Sequence, residues 1–303
     1  MFLTYDTAFI ILKRQMKNSE ASLFDYIKSA IVYALPQHFI SRLVYRATRI
    51  KSPYVPTAIR KFSEVFGVNL DEAVNPDPNS YSTFNEFFTR PIKPELRPIA
   101  KGENIICSPV DGTISQMQQI DNDSIFQAKG HCYSVTQLLG GDAQLAQPFI
   151  NGSFATIYLS PKDYHRIHMP IAGKLEQQIY VPGRLYSVAP FTVKTLNGIF
   201  ARNERVIALF ESKFGKMAMV LVGAINVAAI ETVWDGLVTP PAGKTISYKK
   251  YEKENICLNK AEEMGCFNMG STVILLFENN QLEWSSKFAE GVSIKMGEAL
   301  GKF

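Results

Sequence analysis

Two histidines, His165 and His168, form the densest cluster of titratable side chains in the chain. Imidazole changes charge near neutral pH, so such a pair suits general acid–base catalysis. The H-x-x-H spacing could also bind a metal, but Pro170 follows at once, the HExxH pattern is missing and no third ligand is evident. The pair is therefore catalytic or consists of polar groups at a strand end, and we predict no metal.

A serine that follows a glycine directly before an apolar run is a candidate nucleophile. Gly270 and Ser271 precede the run at residues 272–277. The G-x-S-x-G elbow of α/β-hydrolases is missing, so a simple loop into a strand is the alternative. Asp111 stands in the turn SPVDGT at residues 108–113, either as an Asx-turn residue or as a carboxylate that orients an imidazole.

Composition and charge limit the class of protein. The 303 residues are 46% hydrophobic and 20% charged, which is typical of one or two globular domains. The net charge of +4 is too small to indicate a nucleic-acid-binding protein. It is also unevenly distributed, because residues 1–61 carry ten Lys and Arg against three Asp and Glu.

The sequence indicates a reducing compartment and no membrane span. The four cysteines form no CxxC pair, and no export signal is evident. The longest apolar run, residues 217–230, is shorter than the roughly 20 residues that a spanning helix needs. We expect any membrane contact to be peripheral and on the cytoplasmic face of the cell membrane.

Residues 20–66 show helical periodicity, divided at Pro36. Phe39 and Leu43 share one helix face, and Arg42 and Arg46 lie on a neighbouring face. The pattern fits a pair of helices packed on a core, or a basic amphipathic surface that docks on anionic lipid.

The rest of the chain divides into a connector and a β domain. Prolines are dense from 74 to 100, which indicates a fixed connector, and short β-rich segments dominate from residue 105. Two glycine-bearing segments resemble the turns of barrel-sandwich domains, with Lys295 exposed and structural. We therefore predict an α+β protein: helical membrane-docking residues 1–66, a connector at 67–104 and a barrel-sandwich-like catalytic domain at 105–303.

Taken together, these segments resemble the phosphatidylserine decarboxylase family, the pyruvoyl-dependent proenzymes, in its bacterial membrane-associated form. The matching stretches follow the family order over about 190 residues. They are FNEFFTRP (84–91), SPVDGT (108–113), YHRIHMP (164–170), VPGRLYSV (181–188), LVGA (221–224), VTPP (238–241) and residues 265–272. The usual Leu-Gly-Ser-Thr of the family stands here as Met-Gly-Ser-Thr at residues 269–272.

The resemblance implies that the chain first cuts itself between Gly270 and Ser271. In this scheme Ser271 is the nucleophile, His168 its base and Asp111 the group that orients the base. The products are a large chain, 1–270, and a small chain, 271–303, whose N-terminus becomes a covalent pyruvoyl group derived from Ser271. The small chain has 33 residues and is too short to fold alone, so the two chains form one unit.

The resemblance also implies a second reaction, in which phosphatidylserine forms a Schiff base with the pyruvoyl group and loses CO2 to give phosphatidylethanolamine. His165 would donate a proton or orient the substrate. An anionic membrane surface is the implied partner, and a homodimer of the processed unit is expected. Arg166 and Arg184 flank the motifs and could recognise phosphate, although Arg166 could equally belong to a structural ion pair.

Two other functions use the same residues. A Ser/His/Asp hydrolase would employ Ser271, His168 and Asp111 but keep the chain whole. A non-catalytic, membrane-bound barrel-sandwich module would use its hairpins for binding and would not depend on the Ser271 hydroxyl.

Overall fold

The computed structural model describes residues 21–128, 131–225, 229–240, 243–278 and 281–303. Its α-helices are α1 Leu23–Ala34, α2 Gln37–Ala47, α3 Val55–Phe66, α4 Phe84–Phe88, α5 Val135–Leu138, α6 Ala143–Ala146, α7 Pro190–Val193 and α8 Ile199–Arg202. Short 3-10 turns cover Leu70–Glu72, Pro78–Ser80, Pro94–Leu96 and Gln147–Phe149. The strands are β1 Ile105–Cys107, β2 Gly112–Gln119, β3 Ser124–Ala128, β4 His131–Ser134, β5 Ser153–Tyr158, β6 Arg166–His168, β7 Gly173–Val181, β8 Arg205–Ser212, β9 Gly215–Val222, β10 Ile230–Thr232, β11 Gly236–Thr239, β12 Ser247–Lys250, β13 Cys257–Leu258, β14 Glu263–Phe267, β15 Thr272–Phe277, β16 Glu283–Trp284, β17 Ser293–Ile294 and β18 Ala299–Lys302.

The helical prediction for the N-terminal segment is confirmed from residue 23 onward; residues 1–20 lie outside the described part. Helix α1 begins after a capping box, in which Ser22 and Asp25 satisfy each other's backbone amides. Pro36 separates α1 from α2, as predicted. Helix α3 ends at Gly67, whose φ of 71° is readily adopted by glycine.

A large antiparallel sheet forms the centre of the β region. Its main path runs β12, β7, β8, β9, β15, β5, β2, β17, and β13 pairs with β7 beside it. Smaller sheets contain β11, β10, β14 and β6, then β1, β18 and β16, and finally β3 with β4. All six residues of β15 are buried, since β5 and β9 flank this strand on its two edges. The residues just before β15 are therefore held at the end of the most enclosed strand.

The predicted α+β class is confirmed, because helices precede a mainly antiparallel β region. Within the described ranges each sheet has a linear strand order, so these sheets are open. Lys295 is exposed, as predicted, and its ammonium group pairs with the carboxylate of Asp111.

The connector contributes to a second, smaller core. Val55 and Ile59 of α3 pack there with Phe87 and Phe88 of α4, while the main core lies among the sheets. Met269, two residues before Ser271, packs against the same small core. The division into residues 1–66, 67–104 and 105–303 remains a prediction. In the part of the chain that the structure describes, no helix is both long and apolar enough to span a bilayer.

Candidate active site

Strand pairing brings the predicted catalytic residues to the same end of three adjacent strands in the large sheet. Thr113 of β2 faces Tyr158 of β5, and Tyr158 faces Thr272 of β15. The turn before β2, the loop after β5 and the residues before β15 therefore meet at this end of the strands. The backbone amide of His168 donates to the carbonyl of Pro109 at 2.9 Å, which places strand β6 beside the same strand ends.

Ser271 is fully buried at the entrance to β15. Its hydroxyl donates a short hydrogen bond to the carbonyl oxygen of Val222, and its own carbonyl accepts from the amide of Leu159 at 2.8 Å. These two bonds fix Ser271 between its neighbouring strands. A hydroxyl in this position reacts as a nucleophile only if a base removes its proton.

Gly270 is in close contact with its surroundings. A Cβ atom at this position would lie 3.2 Å from the carbonyl oxygen of Leu159 and 3.6 Å from Cε1 of His165. The missing side chain therefore leaves the imidazole of His165 directly beside the Gly270–Ser271 bond.

His165 is a fully buried imidazole. Its ring stacks on Phe88 with centroids 4.2 Å apart, and neither ring nitrogen forms a hydrogen bond within the part of the chain that the structure describes. Burial, together with the positive charge of Arg90, lowers the pKa of His165 to about 3, although the nearby backbone of Ser160 and Pro161 acts in the other direction. The ring is therefore neutral, and one of its nitrogens has a free lone pair.

Arg90 is a buried cation that sequence reasoning did not single out. Its guanidinium donates to the carbonyl oxygen of Lys162 at 3.2 Å, and its Nε has no partner among the described residues. Desolvation lowers the pKa of Arg90. Arg90 lies within the FNEFFTRP stretch, so the family-like motif was the only signal in the sequence that could have indicated it.

His168 is held in one tautomer. Its Nδ1 lies 2.9 Å from the carbonyl oxygen of Ala261, and its Nε2 lies 2.9 Å from the hydroxyl of Tyr164. A carbonyl only accepts, so Nδ1 carries the proton and Nε2 accepts from Tyr164. Burial lowers the pKa of His168, which keeps the imidazole neutral and therefore able to act as a base.

Asp111 is buried within a network of cations. Arg97 donates to both of its carboxylate oxygens, at 2.9 and 2.6 Å, and Lys295 lies at 3.1 Å. The amide of Met296 adds a hydrogen bond of 2.8 Å. Burial alone would raise the pKa of Asp111, but these hydrogen bonds and charges hold the pKa below its ordinary value. Gly112 fixes the turn, because a Cβ there would lie 2.5 Å from the carbonyl oxygen of Tyr158.

The structure brings Asp111, His168 and Ser271 to the same strand ends of the large sheet, but among the described residues no hydrogen bond joins them. Among the described residues, the partners of Asp111 are Arg97, Lys295 and Met296, and those of His168 are Tyr164 and Ala261. The negative charge of Asp111 still acts on both imidazoles and favours their protonated forms. The triad roles therefore remain predictions.

Two other candidates of the sequence can be placed. Arg166 forms an ion pair with Glu263 at 2.9 Å, which fits the structural role that the sequence left open for it. Arg184 is exposed and lines a different pocket, together with His38 and Arg202. No group of three or more His, Cys, Asp or Glu side chains that could hold a metal occurs within the ranges described by the structure.

Comparison with known proteins identifies the family. Residues 84–302 match the family model described as phosphatidylserine decarboxylase, and residues 27–67 match a second model described as PSD. A phosphatidylserine decarboxylase proenzyme of Alkalilimnicola ehrlichii is 55% identical over 260 residues, which cover 85% of this chain and 90% of the relative. Proenzymes of the same name from Shewanella amazonensis and Vibrio cholerae are 49% identical, over 92% and 90% of this chain and 99% and 98% of their own. The chain therefore belongs to the phosphatidylserine decarboxylase family, whose members are carboxy-lyases.

Proposed function

We propose that this chain is a proenzyme that cuts itself between Gly270 and Ser271 and then converts phosphatidylserine to phosphatidylethanolamine and CO2. The supporting observation is the Gly270–Ser271 bond at the start of the central strand, where Ser271 is fully buried and the imidazole of His165, which has no hydrogen-bond partner among the described residues, lies beside it. The name proenzyme, which the relatives carry, fits a chain that processes itself.

The cleavage would proceed by rearrangement. The Ser271 hydroxyl loses its proton to a base, its oxygen bonds to the carbonyl carbon of Gly270, and the peptide C–N bond breaks as the nitrogen gains a proton. The ester then opens when the Cα proton of residue 271 leaves and the Cβ–Oγ bond breaks, which frees the Gly270 carboxylate. Water replaces the nitrogen of residue 271 and ammonia leaves, so a pyruvoyl group remains.

We assign the base of the first step to His168. Its free-base Nε2, fixed by the bond from Nδ1 to Ala261, is the atom that can take a proton. The anionic Asp111 would stabilise the resulting imidazolium through its charge. The hydroxyl of Tyr164 donates a hydrogen bond to Nε2, so this bond would have to break before Nε2 could take the serine proton.

The surroundings of residue 271 fit a pyruvoyl group. In the described ranges, the hydroxyl of Thr272 and both ring nitrogens of His165 are buried without partners, so polar atoms are available for a further polar group there. A pyruvoyl carbonyl supplies an acceptor for the amine of the substrate and draws electrons from its carboxylate bond. His165 would return a proton to the carbon that has lost CO2, and the negative charge of bound phosphatidylserine would favour the protonated imidazole needed for this step.

Helices α1 and α2 support docking on an anionic membrane. Their apolar side chains point away from the core: Phe24 is 63% and Phe39 67% exposed. The buried residues on these helices are polar instead, as with Ser29, whose hydroxyl lies 2.6 Å from that of Thr195. A large exposed apolar surface of this kind indicates an interaction surface.

The four cysteines are unpaired, which fits the reducing cytoplasmic face. A homodimer remains a prediction.

Ser271→Ala tests the proposal. Without the hydroxyl, neither cleavage nor a pyruvoyl group can form, so the variant should run as one chain of 34.0 kDa and lose decarboxylation to background. Mass spectrometry of the wild type should find a 33-residue fragment with a pyruvoyl N-terminus. An intact wild-type chain would overturn the proposal. Ester hydrolysis that is lost in Ser271→Ala would then favour the hydrolase alternative, and an intact wild-type chain that binds vesicles as well as Ser271→Ala and has no activity would favour the non-catalytic module.

A further inference from the structure

A second concave site lies at the junction of α1 and α2, with a volume of about 590 Å³. We call it the arginine pocket. Its walls are formed by Tyr33, His38, Gly183, Arg184, Tyr186 and Arg202. The amide of Arg184 donates to the carbonyl of Arg202 at 2.9 Å, so the two arginines lie on adjacent backbone segments. The loop at residues 181–188 and the end of α8 therefore present two cations to the same concavity.

Among the residues that the structure describes, no carboxylate pairs with either arginine of the arginine pocket. No carboxylate lines the pocket, and the guanidinium of Arg184 forms no hydrogen bond or ion pair with any residue that the structure describes. Arg202 donates to the carbonyl oxygen of Asn197 and to the hydroxyl of Tyr186, both neutral acceptors. Guanidinium groups with free donors bind phosphate oxygens through paired hydrogen bonds.

Ring stacking and a hydrogen bond hold the walls of the arginine pocket in place. The rings of Tyr33 and Tyr186 stack with centroids 5.2 Å apart, which ties the end of α1 to the loop. Nε2 of His38 lies 3.0 Å from the carbonyl oxygen of Gly183 and donates to it, because a carbonyl cannot donate. The start of α2 is therefore attached to the same loop.

The position of the arginine pocket indicates its occupant. Leu35 and Phe39, which flank Tyr33 and His38 in the chain, are 39% and 67% exposed and belong to the apolar surface of α1 and α2. If that surface enters the bilayer, the pocket lies at the level of the lipid headgroups. Resting on the membrane docking proposed above, we propose that the arginine pocket binds the phosphate of a bilayer phospholipid, through Arg184 and Arg202, as an anchor separate from the substrate.

Sedimentation with phosphatidylglycerol vesicles tests this anchor in a background of Ser271→Ala. This lipid is not the substrate, and the uncleaved chain removes any dependence on processing, so failure of the anchor and failure of the proposed reaction are distinguishable. Arg184→Gln/Arg202→Gln should weaken binding roughly tenfold or more. The control Lys253→Gln/Lys287→Gln removes the same charge from exposed sites outside the pocket and outside residues 1–66, and circular dichroism checks that both variants are folded.

Further variants separate a built phosphate site from diffuse attraction. Arg184→Lys/Arg202→Lys keeps the charge but loses the planar fork, and we expect binding between that of the wild type and the glutamine pair. Full binding by the lysine pair, or equal losses in the control pair, would overturn the proposal. So would a loss seen with phosphatidylserine vesicles alone, which would make the pocket a substrate subsite. Displacement by inorganic phosphate at constant ionic strength and millimolar or lower concentration would assign it to free phosphate instead.

Discussion

Single residues of the site illustrate what spacing can and cannot predict. Asp111, His165, His168 and Ser271 could be selected as candidate site residues from the sequence because they stand in compact motifs. Their partners were not, because Arg97 reaches Asp111 from a different segment and Lys295 from the far end of the chain. Local sequence carries no signal for such nonlocal ion pairs. The protonation states follow from these partners and from burial, so they too required the structure.

The two histidines should separate by function. His168→Ala should leave the chain uncleaved, because the proposed base of the first step is lost. His165→Ala should still be cleaved but lose most of its decarboxylation, by about a hundredfold or more if it supplies the proton. Gel electrophoresis and a CO2-release assay measure the two effects. Normal cleavage of His168→Ala, or loss of cleavage in His165→Ala, would contradict these roles; the second result would fit the proximity of His165 to Gly270.

Buried neutral histidines also predict how stability depends on pH. The pKa of His165 falls to about 3 in the folded chain from 6.5, and that of His168 is also lowered. The unfolded chain therefore binds protons that the folded chain does not, and the free energy of unfolding should fall as pH drops below about 6.5. The slope is at most about 1.4 kcal/mol per pH unit for each histidine. Because the pKa of Asp111 is lowered, protonation of its carboxylate reduces the free energy of unfolding only at still lower pH.

Urea unfolding at a series of pH values measures this slope. His165→Phe removes the titrating group and preserves a ring against Phe88, so its stability should depend less on pH in the same window. A slope identical to that of the Ser271→Ala reference would show that His165 is not the group responsible. Both chains should carry Ser271→Ala, so that cleavage does not differ between them.

At the scale of elements, burial decides which strands were predictable. Residues 217–222 of β9 and 273–277 of β15 are continuous apolar runs enclosed by neighbours, and the sequence indicated both runs. Strand β7 was not predicted, because Glu176, Gln177 and Gln178 interrupt its pattern. Its strand character comes from pairing along its whole length with β8, a tertiary effect that overrides local preference.

Helices α1 and α2 yield a prediction at this scale. Phe24→Glu/Phe39→Glu places charges on the exposed apolar surface, so binding to phosphatidylglycerol vesicles should fall about tenfold or more, since burial of each aromatic ring is worth ~2 kcal/mol. The free energy of unfolding should change by less than about 0.5 kcal/mol, because surface substitutions have small effects. Val233→Glu, at a 53% exposed position outside these helices, is the control. Unchanged vesicle binding, or equal losses in the control, would contradict membrane docking by this surface.

At the scale of the whole molecule, the segment proposed to become the small chain is an integral part of the fold. Residues 271–303 provide β15 to the centre of the large sheet, β17 to the edge of the same sheet beside β2, and β18 to the sheet with β1. They also provide Lys295 and the amide of Met296 to Asp111. The proposed cleavage before residue 271 would therefore remove one covalent bond and leave these contacts in place.

We therefore expect the two chains to remain together after processing. Strand β15 cannot leave without breaking its ladders to β5 and β9 and exposing six buried residues, and an isolated strand of the sheet would gain no comparable burial in water. Size-exclusion chromatography in native buffer should give one species that contains both fragments, which separate only in denaturant. A small chain that elutes alone in native buffer would contradict this expectation. As a control, Ser271→Ala should elute at the same volume as the processed pair, because the fold is complete before the chain is cut.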